Sequence, residues 1–571
     1  MPNLKLVTKL FFILLLAQYG CSTPTKIKKQ NGSDDILINQ IGYPLNAPKI
    51  ALLRIDADEF QLKNSDDKTV FTGKCNDWKF WELSGDSVRL ADFSAITVPG
   101  EYTIWVNDSV CSWPFKIENG VYSELADAAL KSYYYARCGV DIDSFYGGKW
   151  HWQAGHPDTS VMVHTSAADK TRPEGTVISS PGGWYDAGDY GKYIVNSGIS
   201  TYTLLLSSTL NAEFHEVQNL NIPESENELP DILDEALVNL KWMMTMQDPN
   251  DGGVYHKLTT KNFVGFVAPS ETNEQRYVVQ KSTAAALDFA ATMAAASRVM
   301  EQKGLKELSK KMMEQAQEAW NWAILNPDVL YRQPQDISTG AYGDYSLSDE
   351  WFWAAAEFYI NTGKRQFLDK ILVNYQKPVT PTWNTVHTLG VISLLTSEKR
   401  DDFAEMEKDF MAHVDLLLKK EQLSPYHASI DKFAWGSNSD VANVGMLKLI
   451  AYQLSGDKKY LDSASNDLDY ILGRNATGFS FVTGSGPKST RNPHNRIVAS
   501  DGVEDPVPGF LAGGPNISVM NDCDPKEVVR SPYPAASYVD KECSYSTNET
   551  AINWNAPLVF LVSGIDYCYP Q

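Results

Sequence analysis

The periodicity of apolar residues changes once along the chain. From Ile36 to about Ile117 they fall in short extended runs, ILINQIGYP, KIALLRI, FQLKN, KTVFTG, WKFWEL, SVRLADFS, GEYTIWV and CSWPFKI, punctuated by Gly, Pro, Asn and Asp. In GEYTIWV apolar and polar positions alternate, which sends successive side chains to opposite faces of a strand. Short strands at this spacing predict a β-sandwich of about 85 residues. After Asn119-Gly120 the period becomes helical: in SELADAALKSYYYARCG, Leu125, Ala128, Ala129 and Tyr133 share one face and Gly139 supplies a C′ stop. The boundary between the two textures lies near residue 120.

Pro230 at a first turn opens PDILDEALVNLKWMMTMQ, where Ile232, Leu233, Ala236, Leu237, Leu240 and Met244 form one stripe. KSTAAALDFAATMAAASRVM is so rich in Ala that it must pack closely on its neighbours. Ser348 is placed as the N-cap of DEWFWAAAEFYINTG, with Asp349 and Glu350 in the first turn and Gly363 at the end. Further helices are expected near 304–325, 387–397, 400–420, 439–455, 458–473 and 549–563. Some twelve helices joined by long aromatic, Gly-rich loops predict an all-α domain in which helical hairpins ring a central axis, with functional loops at one end.

Composition narrows the function. At 571 residues, 43% hydrophobic and 21% charged, the chain is an ordinary globular protein and neither a fibre nor a disordered polymer. A net charge of -21 leaves no basic surplus for neutralising phosphates, which excludes a nucleic-acid partner. Fifteen Trp, 28 Tyr and 22 Phe call for a large core or for platforms on which flat apolar faces, such as those of sugars, can stack. Lys5 and Lys9 precede the apolar run Leu10 to Ala17 and then Tyr19-Gly20-Cys21, a secretory pattern over residues 1–20 and too short for a bilayer span. Cys21 directly after Gly20 resembles a bacterial lipoprotein signal, which predicts a lipid anchor at the cell surface or in the periplasm; ordinary secretion is the alternative. Export permits disulfides among the remaining cysteines, with Cys523 and Cys543 close enough in a loop-rich stretch to pair, and free buried thiols as the rival reading. Asn-x-Ser/Thr sequons at Asn31, Asn107, Asn475, Asn516 and Asn548 are read as chance matches.

Candidate chemistry lies in three loops. GGWYDAGDYGKY at 182–193 sets Asp186 and Asp189 on a Gly-punctuated turn beside Trp184 and Tyr185. Two carboxylates held close cannot both ionise freely, so one keeps a raised pKa and the pair can grip a water as general base; a helix-capping turn or a calcium loop fits the same spacing. In SFVTGSGPKSTRNPHNR at 480–496, His494 and Arg496 could orient a carboxylate or hold substrate hydroxyls, although such a His is commonly a surface residue. YVDKECSYSTNETAINWNAPL at 538–558 carries Asp540 and then Glu549 at the opening of an apolar helix, where Glu is also the ordinary stabilising choice.

Taken together these stretches resemble glycoside hydrolase family 9, the cellulase family, in its variant with an immunoglobulin-like domain ahead of the catalytic domain. NQIGYP at 39–44, the 182–193 turn, DGGVYHK at 251–257, SDEWFWAAAE at 348–357, WGSN at 435–438, LGRNATGFSFVTG at 472–484 and the Glu549 segment follow in the family's order. The resemblance implies an immunoglobulin-like sandwich over 33–118 and an (α/α)6-barrel hydrolase over 121–571. It implies Asp189 as general base, Asp186 helping to hold the water, Glu549 as general acid, His494 and Arg496 on sugar hydroxyls, and Asp540 holding the acid loop. Trp184, Tyr185, His256, Trp435 and Trp554 become cleft candidates, each as readily a core aromatic. Asn495 departs from the His common between His494 and Arg496, which bears on subsite contacts. No cofactor is needed for the chemistry, and Asp349 with Glu350 resembles a structural calcium site. With no appended carbohydrate-binding module visible, the expected enzyme is a monomeric, inverting endo-β-1,4-glucanase on a β-glucan polysaccharide or oligosaccharide. An exo-acting member of the family and a non-catalytic glycan-binding protein are the alternatives.

Overall fold

The computed structural model describes residues 32–569; the signal and lipid-anchor readings concern residues outside that range. The first ten strands are β1 (Ile36–Leu37), β2 (Gly42–Tyr43), β3 (Ile50–Leu53), β4 (Glu59–Asn64), β5 (Thr69–Lys74), β6 (Lys79–Trp81), β7 (Asp86–Asp92), β8 (Gly100–Val106), β9 (Val110–Cys111) and β10 (Phe115–Ile117). They make two sheets, β1-β3-β7-β6 and β2-β10-β8-β4-β5, the latter with β9 on β8. Phe60, Leu62, Ile104 and Val106 fill the space between the sheets with Ala51 and Leu53 from β3. That strand is buried on both faces, because Leu52 and Ile50 belong instead to the core of the helical part, together with Leu37, Trp81 and Val88. One sheet of the sandwich is thus a floor for the helices.

Polar contacts fix the same interface. Asn39 Nδ2 donates to Asp469 Oδ1 at 2.8 Å and to the Tyr122 hydroxyl at 2.8 Å. Gln40 exchanges bonds with the 472–488 segment, donating through Nε2 to the Gly478 carbonyl at 2.9 Å and accepting the Lys488 N–H at 2.7 Å. Arg54 pairs with Asp86 at 2.7 Å and donates to the Tyr426 hydroxyl at 3.1 Å, while Trp81 packs on Tyr426 with ring centroids 4.8 Å apart. From Gly32 onward the chain forms one compact unit.

Twelve longer helices follow: α1 (Ser123–Tyr135), α2 (Ile194–Leu210), α3 (Asp231–Thr245), α4 (Thr283–Gln302), α5 (Lys306–Leu325), α6 (Ser348–Thr362), α7 (Arg365–Asn374), α8 (His387–Leu395), α9 (Ala404–Leu423), α10 (Ser437–Ser455), α11 (Lys458–Ile471) and α12 (Ile552–Cys568). The even-numbered helices are apolar or small nearly all round and largely buried, the odd-numbered ones mostly amphipathic, as a two-layer packing requires. Among the inner helices α2 packs on α4, α4 on α6 and α6 on α8; α10 packs on α12 and α12 on α2. In α4 every residue from Thr283 to Ser297 is buried, most of them alanines, so neighbours can pack closely around the helix. Two of the hydroxyls buried in α2 donate back to its own carbonyls, Ser200 to Asn196 and Thr203 to Ile199.

Two local expectations change. Ser348 does not cap α6: it is the first helical residue, Leu347 precedes it without a side-chain cap bond, and Gly363 ends the helix in the left-handed conformation as its sequence position suggests. Glu549 does not open α12, but lies in extended backbone (φ -65°, ψ 152°) between a short helical turn, Tyr545–Asn548, and the helix beginning at Ile552. A third sheet, with β11 (Val161–Val163), β12 (Val177–Ile178), β13 (Lys192–Tyr193), β14 (Lys257–Thr259) and β15 (Tyr277–Val278) in the order β12-β11-β15-β14-β13, sits in the loops at the head of α2. Cys523 and Cys543 form a disulfide, whereas Cys75, Cys111, Cys138 and Cys568 are free. Among the described residues no helix is long and apolar enough to cross a membrane.

Candidate active site

The 182–193 turn is held at its carbonyl oxygens by buried cations. Lys192 Nζ donates to the Gly182 carbonyl at 2.7 Å, Arg276 to that of Tyr190 at 2.7 Å and Arg496 to that of Gly188 at 2.5 Å. Asp158 neutralises the first two cations, at 2.7 Å from Lys192 and 2.9 Å from Arg276. Residue 188 must be Gly: a Cβ there would lie 2.3 Å from the His494 carbonyl oxygen and 3.1 Å from Glu549 Oε1. The close approach brings three distant segments to one place.

Asp186 and Asp189 are both buried. Asp186 receives Asn196 Nδ2 at 2.9 and 3.1 Å and the Tyr342 hydroxyl at 2.8 Å. Burial, and then the charge of Asp189, push its carboxyl up to about 8. Asp189 Oδ2 accepts the Gly191 N–H at 2.9 Å and the Tyr193 hydroxyl at 3.1 Å. Both phenols are held well above their usual range, primarily by burial and further by the carboxylates, so each remains a donor.

Glu549 is pinned by its backbone. Its carbonyl accepts the Gly513 N–H at 2.8 Å, and the His494 N–H donates to the adjoining Asn548 carbonyl at 2.8 Å, so the acid segment lies between two extended neighbours. Burial, Asp189 and Asp186, in that order, raise the Glu549 carboxyl to about 8. Asp540 ties the loops together, accepting the N–H groups of Arg491 at 2.9 Å and Asn492 at 2.8 Å and Asn548 Nδ2 at 3.0 Å. His494 bonds the Glu542 carbonyl through Nδ1 at 2.6 Å; burial lowers its pKa and leaves the other ring nitrogen an acceptor.

Several residues expected to line the cleft lie elsewhere. Trp184 is 0% exposed and packs on Tyr133 at 4.5 Å, its indole N–H on Glu235, so it is a core residue. Tyr185 is likewise buried, its hydroxyl against His156 Nδ1 at 2.8 Å. His256 is 0% exposed, stacks on Tyr331 at 3.9 Å, and is lowered by burial to about 3, so it is a neutral structural imidazole. Arg496 donates through Nε to the Val264 carbonyl and through Nη1 to the Gly188 carbonyl and lies over Phe263 and Phe266, which makes it a brace of the turn. Asn495 caps the short helix Arg496–Ser500, accepting the N–H groups of Ile497 and Val498. Trp435 is 46% exposed and reaches His494 through Tyr545, with centroids 5.3 and 5.9 Å apart; Trp554, half-buried, packs beneath Gly436 and Gly513. The sequence alone does not point to Tyr193, Asn196 and Tyr342. Tyr193 follows Asp189 inside the quoted motif, but a phenol gives no sequence signal of its bond, and Tyr342 and Asn196 come from separate segments.

Asp349 and Glu350 lie far from this turn in sequence and meet Asp288 and Asp344 in a second carboxylate cluster. Both oxygens of Asp288, Asp344 Oδ2 and Glu350 Oε2 are buried without a partner, and burial pushes Asp288 and Glu350 well above the carboxylate range. The donor set is all oxygen, suited in kind to a hard cation. Among the described residues, however, no group of three or more His, Cys, Asp or Glu side chains is arranged as a metal cage.

Comparison with known proteins places the chain. The cellulase N-terminal ig-like domain matches residues 31–110, and glycosyl hydrolase family 9 matches residues 122–562. A xyloglucan-specific endo-beta-1,4-glucanase of Bacteroides ovatus is 43% identical, over 98% of this chain and 97% of its own length. A cellodextrinase of Butyrivibrio fibrisolvens is 32% identical over 93% of this chain and 99% of its own. A solved Bacteroides ovatus family 9 structure superposes with a TM-score of 0.87 at 42% identity, over 94% of this chain and 99% of that one. A sandwich-backed helical domain that brings a glutamate against a Gly-lined turn carrying two aspartates, matched along nearly its whole length, makes this chain a member of glycosyl hydrolase family 9.

Proposed function

We propose that the protein is an endo-β-1,4-glucanase that cleaves internal bonds of a β-glucan with inversion at the anomeric carbon. Asp189 takes the proton of the attacking water, Asp186 helps to hold that water, and Glu549 protonates the departing glycosidic oxygen. The observation that carries this is the meeting of the three carboxyls around Gly188: a Cβ there would lie 3.1 Å from Glu549 Oε1, and Asp186 and Asp189 flank it on the same turn. Glu549 is raised to about 8 by burial and the two aspartates, so at neutral pH it keeps the proton that a general acid must give. An inverting hydrolase needs such an acid opposite a carboxylate base, the two about 6.5–9.5 Å apart to admit a water. Asp540 holds the acid loop, and His494, Tyr545 and Trp435 line the approach to it.

The six even-numbered helices are proposed to close as the inner ring of an (α/α)6 barrel over residues 121–571, the α8-to-α10 junction completing it. Xyloglucan is the first substrate to test, because the Bacteroides ovatus relative is named for it; cello-oligosaccharides are second, from the cellodextrinase. A structural calcium among Asp288, Asp344, Asp349 and Glu350 is proposed on donor chemistry and takes no part in hydrolysis, which needs no cofactor. Export and lipidation at Cys21 complete the proposal; metabolic labelling with a fatty acid that leaves the protein unlabelled removes the anchor.

The test is viscometry against reducing-end release on soluble xyloglucan, mixed-linkage glucan and carboxymethyl cellulose. An early collapse of viscosity is expected. Sugar release without it means exo action, and neither signal means a glycan-binding protein.

A further inference from the structure

The arrangement beneath the base turn gives a role to a side chain that the chemistry above leaves unused. Lys257, on β14, is 0% exposed. Its ammonium donates only to uncharged oxygens, those of Gly340 at 2.6 Å, Gln333 Oε1 at 3.1 Å, Thr339 Oγ1 at 3.1 Å and the Thr339 carbonyl at 3.3 Å. A fully buried ammonium without a carboxylate in contact is costly, and such groups are seldom kept for packing alone.

Two routes lead from it to the reacting carboxylates. Tyr193 is the cross-strand partner of Lys257 in the β13–β14 pairing, the ammonium lies 5.6 Å from the Tyr193 ring, and the Tyr193 hydroxyl donates to Asp189 at 3.1 Å. Gly340, whose carbonyl the ammonium grips, precedes Tyr342 by two residues, and the Tyr342 hydroxyl donates to Asp186 at 2.8 Å. The two tyrosines also meet each other, edge to face at 4.7 Å. His256 supports the same segment from the preceding position, bonding the Ala341 carbonyl at 3.1 Å.

We propose that Lys257 is a positioning residue of the hydrolytic site, setting the two phenols that hold Asp186 and Asp189 and placing a positive charge behind the base. This rests on the reading of Asp189 as the base. The titratable groups facing Lys257 are Asp189, which favours its charged form, and the neutral His256, Tyr193 and Tyr331; burial lowers the ammonium to about 7.

The experiment compares Lys257→Met, Lys257→Gln and Asp189→Asn in the full chain on a soluble β-glucan. For Lys257→Met the expectation is a kcat lower by about tenfold or more with KM within about threefold, and oligosaccharide binding by calorimetry unchanged. The acidic limb of kcat/KM should move to higher pH, because Asp189 has lost a neighbouring positive charge. Lys257→Gln keeps a donor for Gly340 without the charge, so it should recover part of kcat and retain the shifted limb. Combining Lys257→Met with Tyr193→Phe should cost less than the product of the single losses. If Lys257→Met does not fold, Thr339→Val removes one of the acceptors instead, and the expected signature is a lower kcat at unchanged KM. An unchanged kcat and an unmoved limb in whichever variant folds would overturn the proposal while leaving the base assignment intact, provided Asp189→Asn is inactive. An active Asp189→Asn would instead remove the reading on which the proposal stands.

Discussion

On the proposed mechanism, Glu549→Gln preserves the shape of the side chain and removes the one proton that the leaving group needs. The structure sets the size of the effect. At pH 6 a carboxyl at its ordinary value of 4.5 is about 3% protonated, whereas one held at about 8 is about 99% protonated, so the burial and the neighbouring aspartates supply about thirty times more competent acid. Deleting the acid altogether forfeits general acid catalysis, a loss of ~10²–10⁴ in kcat on unactivated glucans. An aryl glycoside whose phenol leaves without help should lose far less. The sign with pH follows: the acid works only while protonated, so wild-type activity should hold through neutral pH and fall as pH rises through about 8, where Asp186 titrates as well. Initial rates on both substrate types across pH 4–10, for wild type and Glu549→Gln, test all of this. Equal losses on the two substrates, or a wild-type alkaline limb below pH 6, would refute the assignment.

Asp189→Asn should abolish hydrolysis while oligosaccharide binding by calorimetry stays within a few-fold, and Asp186→Asn should also cost heavily, the pair combining less than additively on the proposed sharing of one water. Anomeric proton NMR in the first minutes of wild-type hydrolysis should show the α-anomer first; initial β-anomer would mean a covalent glycosyl-enzyme. Expressing residues 121–571 alone removes the partners of the helical core at Leu37, Ile50, Leu52, Trp81 and Val88, worth on the order of 10 kcal/mol of burial, which matches a whole protein's stability. That fragment should aggregate, and a soluble, fully active one would show the sandwich to be dispensable. Asp288 and Glu350 have folded pKa values above the ordinary range, so whatever they contribute is present at low pH and fades as pH rises. Chelator should therefore lower Tm more at pH 8 than at pH 5, with calcium restoring it, and a Tm indifferent to both would dismiss the cation.

The strands and helices were legible because their periods are local, but their second contacts were not. KIALLRI reads as one strand among several, yet Leu52 on one side and Ala51 and Leu53 on the other serve different cores. In the same sheet Trp81 on β6 packs on Tyr426 and Phe433, which sit hundreds of residues away and leave no local mark in the sequence of the sandwich. The same limit explains Glu549. Its place before an apolar run reads as a helix-opening acid, and only the pairing with His494 and Gly513 holds it extended and turned toward Gly188.

Within the site, residue type was a better guide to the carboxylates than to their surroundings. Two aspartates on a glycine-lined turn stand out, because few folds bury carboxyls without a use for them. An aromatic beside them stands out equally, but Trp184 and Tyr185, next to the acids in sequence, are buried, as is His256 from a separate segment. Burial is itself their contribution. Trp184 and Tyr185 adjoin Asp186 in the same buried turn, and desolvation by burial is the largest cause of its raised pKa. Trp184, Tyr185 and His256 thus belong to the core behind the turn, whereas Trp435, 46% exposed, stands with the half-buried Tyr545 beside His494.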